Sequence, residues 1–211
     1  MEIITGIFIF VFGLIIGSFS NVCIYRIPRN ESLIQPGSHC PQCDKPIKYY
    51  DNIPVISYLI LKGKCRYCSK QIPVQYPLVE LLTGAVYLAL YLFYGLQFST
   101  FIYMMLCSVL IIISFIDLTE RIIPDVLSIP FIIVGFIFSF FLKNLSPSNS
   151  LLGILAGGGS LLIIAFAGAY LFRKEAMGGG DVKLAAMIGA FLGWQLTLLS
   201  VFLGFFLGSI S

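Results

Sequence analysis

Charged residues are scarce in this sequence. Lysine, arginine, aspartate and glutamate make up 11% of the 211 residues, whereas a soluble domain carries about 25%. Hydrophobic residues make up 58% of the chain, and its mean hydropathy is +0.96. A chain of this composition is solvated mostly by lipid. A soluble globular domain is therefore excluded, and an all-α polytopic membrane protein in a lipid bilayer is predicted.

The basic residues do not form a surface for nucleic acid. Such a surface needs clustered lysine and arginine with supporting aromatic residues, and the one basic cluster here, at 26–76, also carries four cysteines. No nucleic-acid partner is expected. Glu2 precedes the first apolar run and Arg26 follows it, the reverse of a cleaved signal peptide. Residues 1–25 are therefore predicted to be a retained transmembrane helix with its N-terminus outside.

Histidine is nearly absent as well. His39 is the sole histidine and lies in the cysteine-containing loop, so no serine–histidine–aspartate triad is available. A serine–lysine pair is allowed by composition, but no motif supports it. His39 adjoins Cys40 and is an alternative metal ligand. We interpret it as a solvated loop residue, because four thiolates complete a tetrahedral shell.

Six apolar segments are long enough, or nearly so, to cross a bilayer core, which takes about 20 residues. They lie at about 3–23, 78–94, 100–116, 126–142, 151–172 and 184–211. The last contains Gly193-Trp194-Gln195, so we expect one short helix to end near Leu192 and another to begin near Leu196. The sequence thus predicts about seven transmembrane helices. It also predicts three parts of the chain, a first helix at 1–25, a loop domain at 26–76 and a transmembrane domain at 77–211.

Lysine and arginine indicate the orientation. Eight of the thirteen lie in the loop 26–76, and alternating the helices from there places twelve of them on one side, Arg173 and Lys174 included, and Lys143 on the other. Positively charged loops stay cytoplasmic. The loop, Asp117 and Asp181 are therefore expected at the cytoplasmic face of the membrane.

Four of the six cysteines form two CxxC pairs, Cys40 with Cys43 and Cys65 with Cys68. The 21 residues between the pairs slightly exceed the usual zinc-site spacing of about 15–20. Lysine and isoleucine follow each pair at the same spacing, which predicts two zinc knuckles that share one structural four-cysteine zinc ion. Free or redox-active thiols are the alternative, since reduced cytoplasmic thiols disfavour a disulfide.

Two carboxylates lie at the ends of apolar segments. Asp117 ends the segment 100–116, and Asp181 follows Gly178, Gly179 and Gly180. A charge at a bilayer edge is costly and indicates a functional site. Two nearby carboxylates share a proton, so one can activate water while the other acts as acid. We predict a membrane aspartyl protease with Asp117 and Asp181 as the catalytic pair; an N-capping Asp181 is the alternative.

Neighbouring residues are expected to support this pair. Gly178 and Gly180 permit positive φ and close approach of an extended peptide substrate. Asp125 follows Pro124 at a predicted helix start, where negative charge is favoured. It is interpreted first as a structural carboxylate and second as a catalytic one. Lys183 is expected to extend toward the lipid headgroups.

Together these motifs resemble the type IV prepilin peptidases, the bifunctional leader peptidase/N-methyltransferases of the GxGD membrane aspartyl proteases. The matching segments are Gly17–Pro28, Asp51–Tyr58, Tyr76–Gly84, Asp117 with Ile123-Pro124-Asp125, and Gly178–Asp181. The resemblance covers about residues 13–208. It implies that Asp117 and Asp181 cleave a short basic leader after a glycine at the cytoplasmic face. It also implies an eighth helix beyond the seven.

The resemblance further implies the substrates and a second activity. The substrates are type IV prepilins and pseudopilins of pilus, secretion or DNA-uptake systems, and the new N-terminal amine is then methylated with S-adenosylmethionine. Glu80, a charge at a helix start, is a candidate for that reaction. The alternatives are a monofunctional peptidase and a small proton- or cation-coupled transporter or assembly factor. A carrier should show internal repeats or broken helices in both halves, and the sequence shows no such repeat.

Overall fold

The computed structural model describes residues 2–142, 144–172 and 178–208. Lys143, Arg173 and Lys174 of the charge argument, and Met177 beside the glycine motif, lie outside these ranges. Within them the chain is helical, with isolated bridges in place of strands. The helices are α1 (Glu2–Arg26), α2 (Ile56–Ile60), α3 (Gln75–Tyr94), α4 (Phe98–Glu120), α5 (Asp125–Ser139), α6 (Pro147–Phe172) and α7 (Gly179–Gly208).

Five helices of the described ranges are long and apolar enough to cross a membrane: α1, α3, α4, α6 and α7. Helix α5 is also apolar but has 15 residues. Helix α7 is interrupted at Gly193, where the backbone (φ 75°, ψ 172°) leaves the helical region in a way that glycine tolerates. This break lies where the sequence predicts two helices. The all-α multi-pass fold is confirmed, while the count of seven crossings and their orientation stay predictions.

The chain divides into two compact units, Met1–Glu120 and Arg121–Ser211. In the first unit α1 packs along α3, and both contact α4. In the second unit α6 packs along α7, and both contact α5. The domain boundaries predicted after residues 25 and 76 follow the loop, whereas these units follow helix packing. Those boundaries stay a prediction.

Glycines bring α1 and α3 of the first unit into backbone contact. A Cβ added to Gly13 would lie 2.7 Å from the Cα of Gly84, and one added to Gly17 would lie 2.7 Å from the Cα of Glu80. Small residues four positions apart are the usual means by which membrane helices approach closely. The contact sets Glu80 directly against α1.

The second unit uses the same device between α6 and α7. A Cβ on Gly153 would meet the backbone of Gly189, and a Cβ on Gly157 would meet the backbone of Ala185. Both pairs are spaced by four residues along their helices, so the two backbones run in contact over at least one turn. This contact anchors α7, which carries Asp181 in its first turn.

Candidate active site and metal centre

The four cysteines of the loop come together in the first unit. The Sγ atoms of Cys40, Cys43, Cys65 and Cys68 all lie within 4.8 Å of one another. The Sγ atoms of Cys40 and Cys68 are 3.9 Å apart. Tetrahedral zinc with Zn–S bonds of about 2.3 Å separates its sulfur ligands by about 3.8 Å. The cluster therefore fits a four-coordinate metal ion.

The two CxxC pairs form turns of the same backbone geometry. The N–H of Cys40 donates to the carbonyl of Lys45 (3.0 Å), and the N–H of Asp44 donates to the carbonyl of Cys40 (2.9 Å). The same two bonds recur 25 residues later around Cys65, at 2.8 and 3.0 Å. Asp44 and Ser69 occupy equivalent positions with φ of 54° and 55°. The similarity of the two halves in sequence is thus a repeated turn.

Backbone donors act on the sulfur atoms of the cluster. Hydrogen bonds from the N–H groups of Cys68 and Tyr67 lower the pKa of Cys65 to about 7. At Cys43 the backbone N–H of Lys45 also lowers the pKa, but burial and the neighbouring thiols outweigh it and raise the pKa to about 11. Metal binding requires thiolates and releases such protons.

Two arginines hold the loop around the cluster. The guanidinium of Arg66 donates to both carboxylate oxygens of Asp51, at 2.6 and 2.8 Å, and this bond lowers the pKa of Asp51. Arg26, buried at the end of α1, donates to the carbonyls of Ser32, Pro36 and Gly37. From the sequence, Arg26 contributes only a positive charge to the orientation argument. Its position at the end of an apolar helix was the one indication of a structural role.

Glu80 and Asn21 are buried where α1 and α3 meet the loop. Glu80 is 7% exposed, and its Oε2 accepts the backbone N–H of Val55 at 2.7 Å. Val55 has φ 60°, a conformation that β-branched residues rarely adopt. The Nδ2 of Asn21 donates to the Tyr76 carbonyl at 3.0 Å, while its buried Oδ1 has no partner among the described residues. Asn21 is not among the predicted site residues, although a polar amide inside an apolar segment indicates a specific role.

Glu80 and Asn21 line a cavity of about 400 Å³ in the first unit. The walls of this cavity, which we call the loop chamber, come from α1, α3, the cysteine loop and the last turn of α4. Thr119 and Glu120 supply the α4 part. Sites for small molecules are typically about 300–1,000 Å³, so the chamber has room for one metabolite-sized ligand.

Asp117 lies in the last turn of α4 and is exposed. Its neighbour Ile116 is completely buried. The hydroxyl of Thr119 donates to the carbonyls of Phe115 and Ile116 within the same helix. The last turn of α4, which presents Asp117, therefore has a buried apolar side and a hydroxyl bound back to the helix.

Asp181 lies in the first turn of α7, where the helix dipole favours a negative charge. Its N–H donates to the carbonyl of Gly178 at 3.2 Å. It also lines a cavity of about 270 Å³ whose other walls are mostly apolar, among them Leu161 of α6 and Phe205 of α7. Asp117 belongs to the first unit and Asp181 to the second, and their pairing stays a prediction.

The glycines before Asp181 do different things. None of Gly178, Gly179 and Gly180 has a φ in the left-handed region. A Cβ on Gly180 would lie 2.8 Å from the Cβ of Ile123, whereas one on Gly179 would meet no atom of the described residues within 4 Å. Gly180 is thus required by close packing, and Gly179 borders open space. The expected positive φ is not found.

Lys183 and Asp125 form an ion pair within the second unit. The Nζ of Lys183 lies 2.7 Å from both Oδ1 and Oδ2 of Asp125. The pair joins the first turn of α5 to the start of α7. Lys183 therefore has a carboxylate partner rather than an extended position toward lipid headgroups. Asp125 therefore has a structural partner, Lys183, which follows Asp181 by two residues.

Comparison with known proteins assigns the chain to a family. The model of the type IV leader peptidase family matches residues 104–211, more than half of the chain. The chain belongs to the type IV leader peptidase family. The model of the bacterial peptidase A24 N-terminal domain matches residues 11–94. No solved structure matches the chain.

Several relatives that the chain matches are named prepilin leader peptidase/N-methyltransferase. The protein of Myxococcus xanthus is 40% identical over 193 residues, which are 92% of this chain and 58% of the relative. That of Neisseria gonorrhoeae is 35% identical and covers 95% of this chain and 79% of the relative. That of Klebsiella pneumoniae is 38% identical and covers 90% and 86%. This family member therefore spans little more than half of one relative and most of the other two.

The two family models divide the candidate site residues of this leader peptidase family member. The N-terminal model contains the cysteine cluster, Asn21 and Glu80. The leader peptidase model contains Asp117, Asp125 and Asp181. Most of the loop chamber and the two aspartates thus lie in segments that match different family models.

Proposed function

We propose that this chain is a bifunctional prepilin leader peptidase/N-methyltransferase of the inner membrane. Its substrates are type IV prepilins or pseudopilins of a pilus or secretion system. Its active site faces the cytoplasm, and its N-terminus lies outside. Family membership carries this proposal, together with Asp181 at the head of α7 beside a mostly apolar cavity.

Asp117 and Asp181 are the proteolytic pair in this proposal. One carboxylate takes a proton from water, which attacks the peptide carbonyl after the leader glycine, and the other gives a proton to the leaving amine. The open space over Gly179 leaves room for an extended peptide beside Asp181. Gly178 and Gly180 support that site, Gly180 by its contact with Ile123. An apolar side chain of the substrate would fill the adjoining cavity.

The cysteine cluster is a structural zinc site in this proposal. Four sulfur donors with no position left for water are typical of structural rather than catalytic zinc. Cys40, Cys43, Cys65 and Cys68 would hold the ion and so join the two knuckles. The cluster is one wall of the loop chamber, so the metal would set the chamber's shape.

The second activity methylates the new N-terminal amine. S-adenosylmethionine supplies the methyl group of this reaction, and the loop chamber is the cavity of suitable size within the first unit. The residues around it bind and orient the reactants and exclude water. The names of the relatives support this half of the proposal.

Two substitutions test the protease. Asp181→Asn and Asp117→Asn should each lower prepilin cleavage by about 10³-fold, because general acid–base catalysis is typically worth about 10²–10⁴-fold. The double variant should be no slower than either single variant, since the two carboxylates act as one unit. Cleavage is measured in membranes with S-adenosylmethionine present, and the products are read by mass spectrometry.

Asp44→Asn is the matched control, because Asp44 is exposed, has a φ of 54° that asparagine tolerates, and lies in the loop. Unchanged cleavage in Asp181→Asn would refute the aspartyl protease. Cleavage without methylation by the wild type would instead leave a monofunctional peptidase. Proton uptake without cleavage would favour the transporter.

A further inference from the structure

The floor of the loop chamber carries two hydrogen-bond acceptors with unused capacity. Glu80 is 7% exposed, and no ion pair of the described residues involves it. Its Oε2 accepts one backbone N–H, and the Ser18 side chain approaches the same carboxylate. Asn21 is 4% exposed, and its Oδ1 accepts no hydrogen bond from the residues that the structure describes. A buried charge and a buried unpaired acceptor are both costly unless something supplies donors.

The chemistry of the floor selects the kind of ligand. A carboxylate and an amide oxygen both accept, so the complementary group is a cation that donates several N–H bonds. A sulfonium carries positive charge but no N–H donor, and a guanidinium is planar and larger. A primary ammonium is compact and donates three bonds. Tyr25, Tyr58 and Tyr76 add aromatic rings to the chamber walls, and such rings also favour cations.

The position of the chamber connects it to the protease. Thr119 and Glu120, in its α4 wall, follow Asp117 by two and three residues in the same helical turn. An amine released by cleavage beside Asp117 therefore emerges close to the chamber. Glu80 is held in position at both ends, because Gly17 of α1 packs against its backbone and the N–H of Val55 binds its carboxylate.

We propose that Glu80 and Asn21 form the binding site for a primary ammonium group taking part in methyl transfer. The proposal rests on the N-methyltransferase half of the proposed function. Two ammonium groups are present in that reaction. One is the new N-terminus of the cleaved pilin, and the other is the amino group on the methionine part of S-adenosylmethionine.

The test uses the full chain in detergent and measures binding as well as turnover. One arm compares a pre-cleaved pilin peptide with the same peptide lacking its N-terminal amine. The other arm compares S-adenosylmethionine with an analogue lacking its amino group. Wild-type protein should prefer the amine form by about tenfold or more in one arm, because a charge-assisted hydrogen bond is lost without it. The arm that shows the preference identifies the source, and no preference in either arm overturns the proposal.

Glu80→Gln then assigns the site to this side chain. Glutamine keeps an acceptor for the Val55 N–H but removes the charge, so the loop stays attached. The amine preference should fall to about onefold, and KM for the same reactant should rise about tenfold. Prepilin cleavage should be unchanged, which also shows that the variant is folded. Glu31→Gln, an exposed carboxylate outside the chamber, is the control.

Other outcomes are equally decisive. An amine preference that persists in Glu80→Gln would overturn the assignment, as would a loss confined to kcat. Wild-type protein that cleaves but does not methylate would refute the N-methyltransferase half of the proposed function, and it is detected before any variant is compared. The binding arms would then still decide the ammonium site, because they require no turnover.

Discussion

The two units place a carboxylate beside a close-packed helix pair in opposite ways. In the first unit Glu80 lies on the contact itself, against Gly17, and is buried and bonded to Val55. In the second unit Asp181 lies at the head of α7, before the contact of α6 with α7 and beside a cavity. A buried, hydrogen-bonded carboxylate such as Glu80 is suited to binding one small group. A half-buried carboxylate at a helix start beside a cavity, such as Asp181, is suited to a peptide substrate that binds and is released.

The difference follows from where each carboxylate sits relative to the glycines. Glu80 lies four residues before Gly84, within the stretch where α1 and α3 touch. Asp181 lies four residues before Ala185, whose backbone is approached most closely by Gly157 of α6. The same packing device therefore encloses one carboxylate and leaves the other at its edge.

The largest expected effect comes from blocking the helix contacts. Gly17→Leu and Gly157→Leu should each lower the stability of their unit by more than about 3 kcal/mol, because the added side chain meets backbone that has no room to move. The measurement is thermal unfolding in detergent. Gly159→Leu is the control on α6, since a Cβ there meets no atom within 4 Å in the part of the chain that the structure describes. Equal stability of all three variants would show that close packing does not hold the helix pairs.

A smaller effect is expected from removing the metal site, which lies in the first unit. Wild-type protein should carry about one zinc per chain, and Cys40→Ser or Cys65→Ser should lose it, since a structural site needs all four thiolates. Methyl transfer to a pre-cleaved peptide should fall by about tenfold or more, because the cluster is a wall of the chamber. Cys107→Ser, which changes a cysteine outside the cluster, is the control. Metal-free wild-type protein with normal activity would refute the zinc site.

The smallest effect concerns the carboxylate next to Asp181. Asp125→Asn breaks an ion pair whose side chains are 56% and 39% exposed, and such pairs are worth about 0–1 kcal/mol. Prepilin cleavage should therefore stay within about fivefold of wild type. Assayed beside Asp181→Asn, the variant distinguishes a structural from a catalytic carboxylate. A loss as large as that of Asp181→Asn would make Asp125 catalytic.

Much of the site could be predicted because its signals are local. A CxxC pair requires its own tight turn. The segment from Cys40 to Ile47 recurs in pattern from Cys65 to Ile72, which predicted two similar turns. The break at Gly193 also followed from a local composition of glycine and polar residues in an apolar run. These features depend on residues close together in the chain, so one sequence suffices to find them.

Other contacts could not be predicted because they join distant residues. Nothing near Val55 in the chain indicates that its N–H is bound by Glu80, 25 residues away. Likewise, Lys183 finds its partner Asp125 58 residues away. Gly180 was expected to give the backbone freedom, whereas Ile123 makes it necessary as a small residue. Such roles depend on which helix faces pack together.

By itself, therefore, the sequence determined the membrane class, the helical segments, the four-cysteine cluster and the two aspartates as candidates. Hydropathy, spacing and scarce charge are properties of the chain that exist before it folds. Only the tertiary structure decided that Glu80 is enclosed between two helices, whereas Asp181 is half-buried beside a cavity. Enclosure depends on the backbone contact of α1 with α3 and of α6 with α7, and those contacts exist only once the helices have packed.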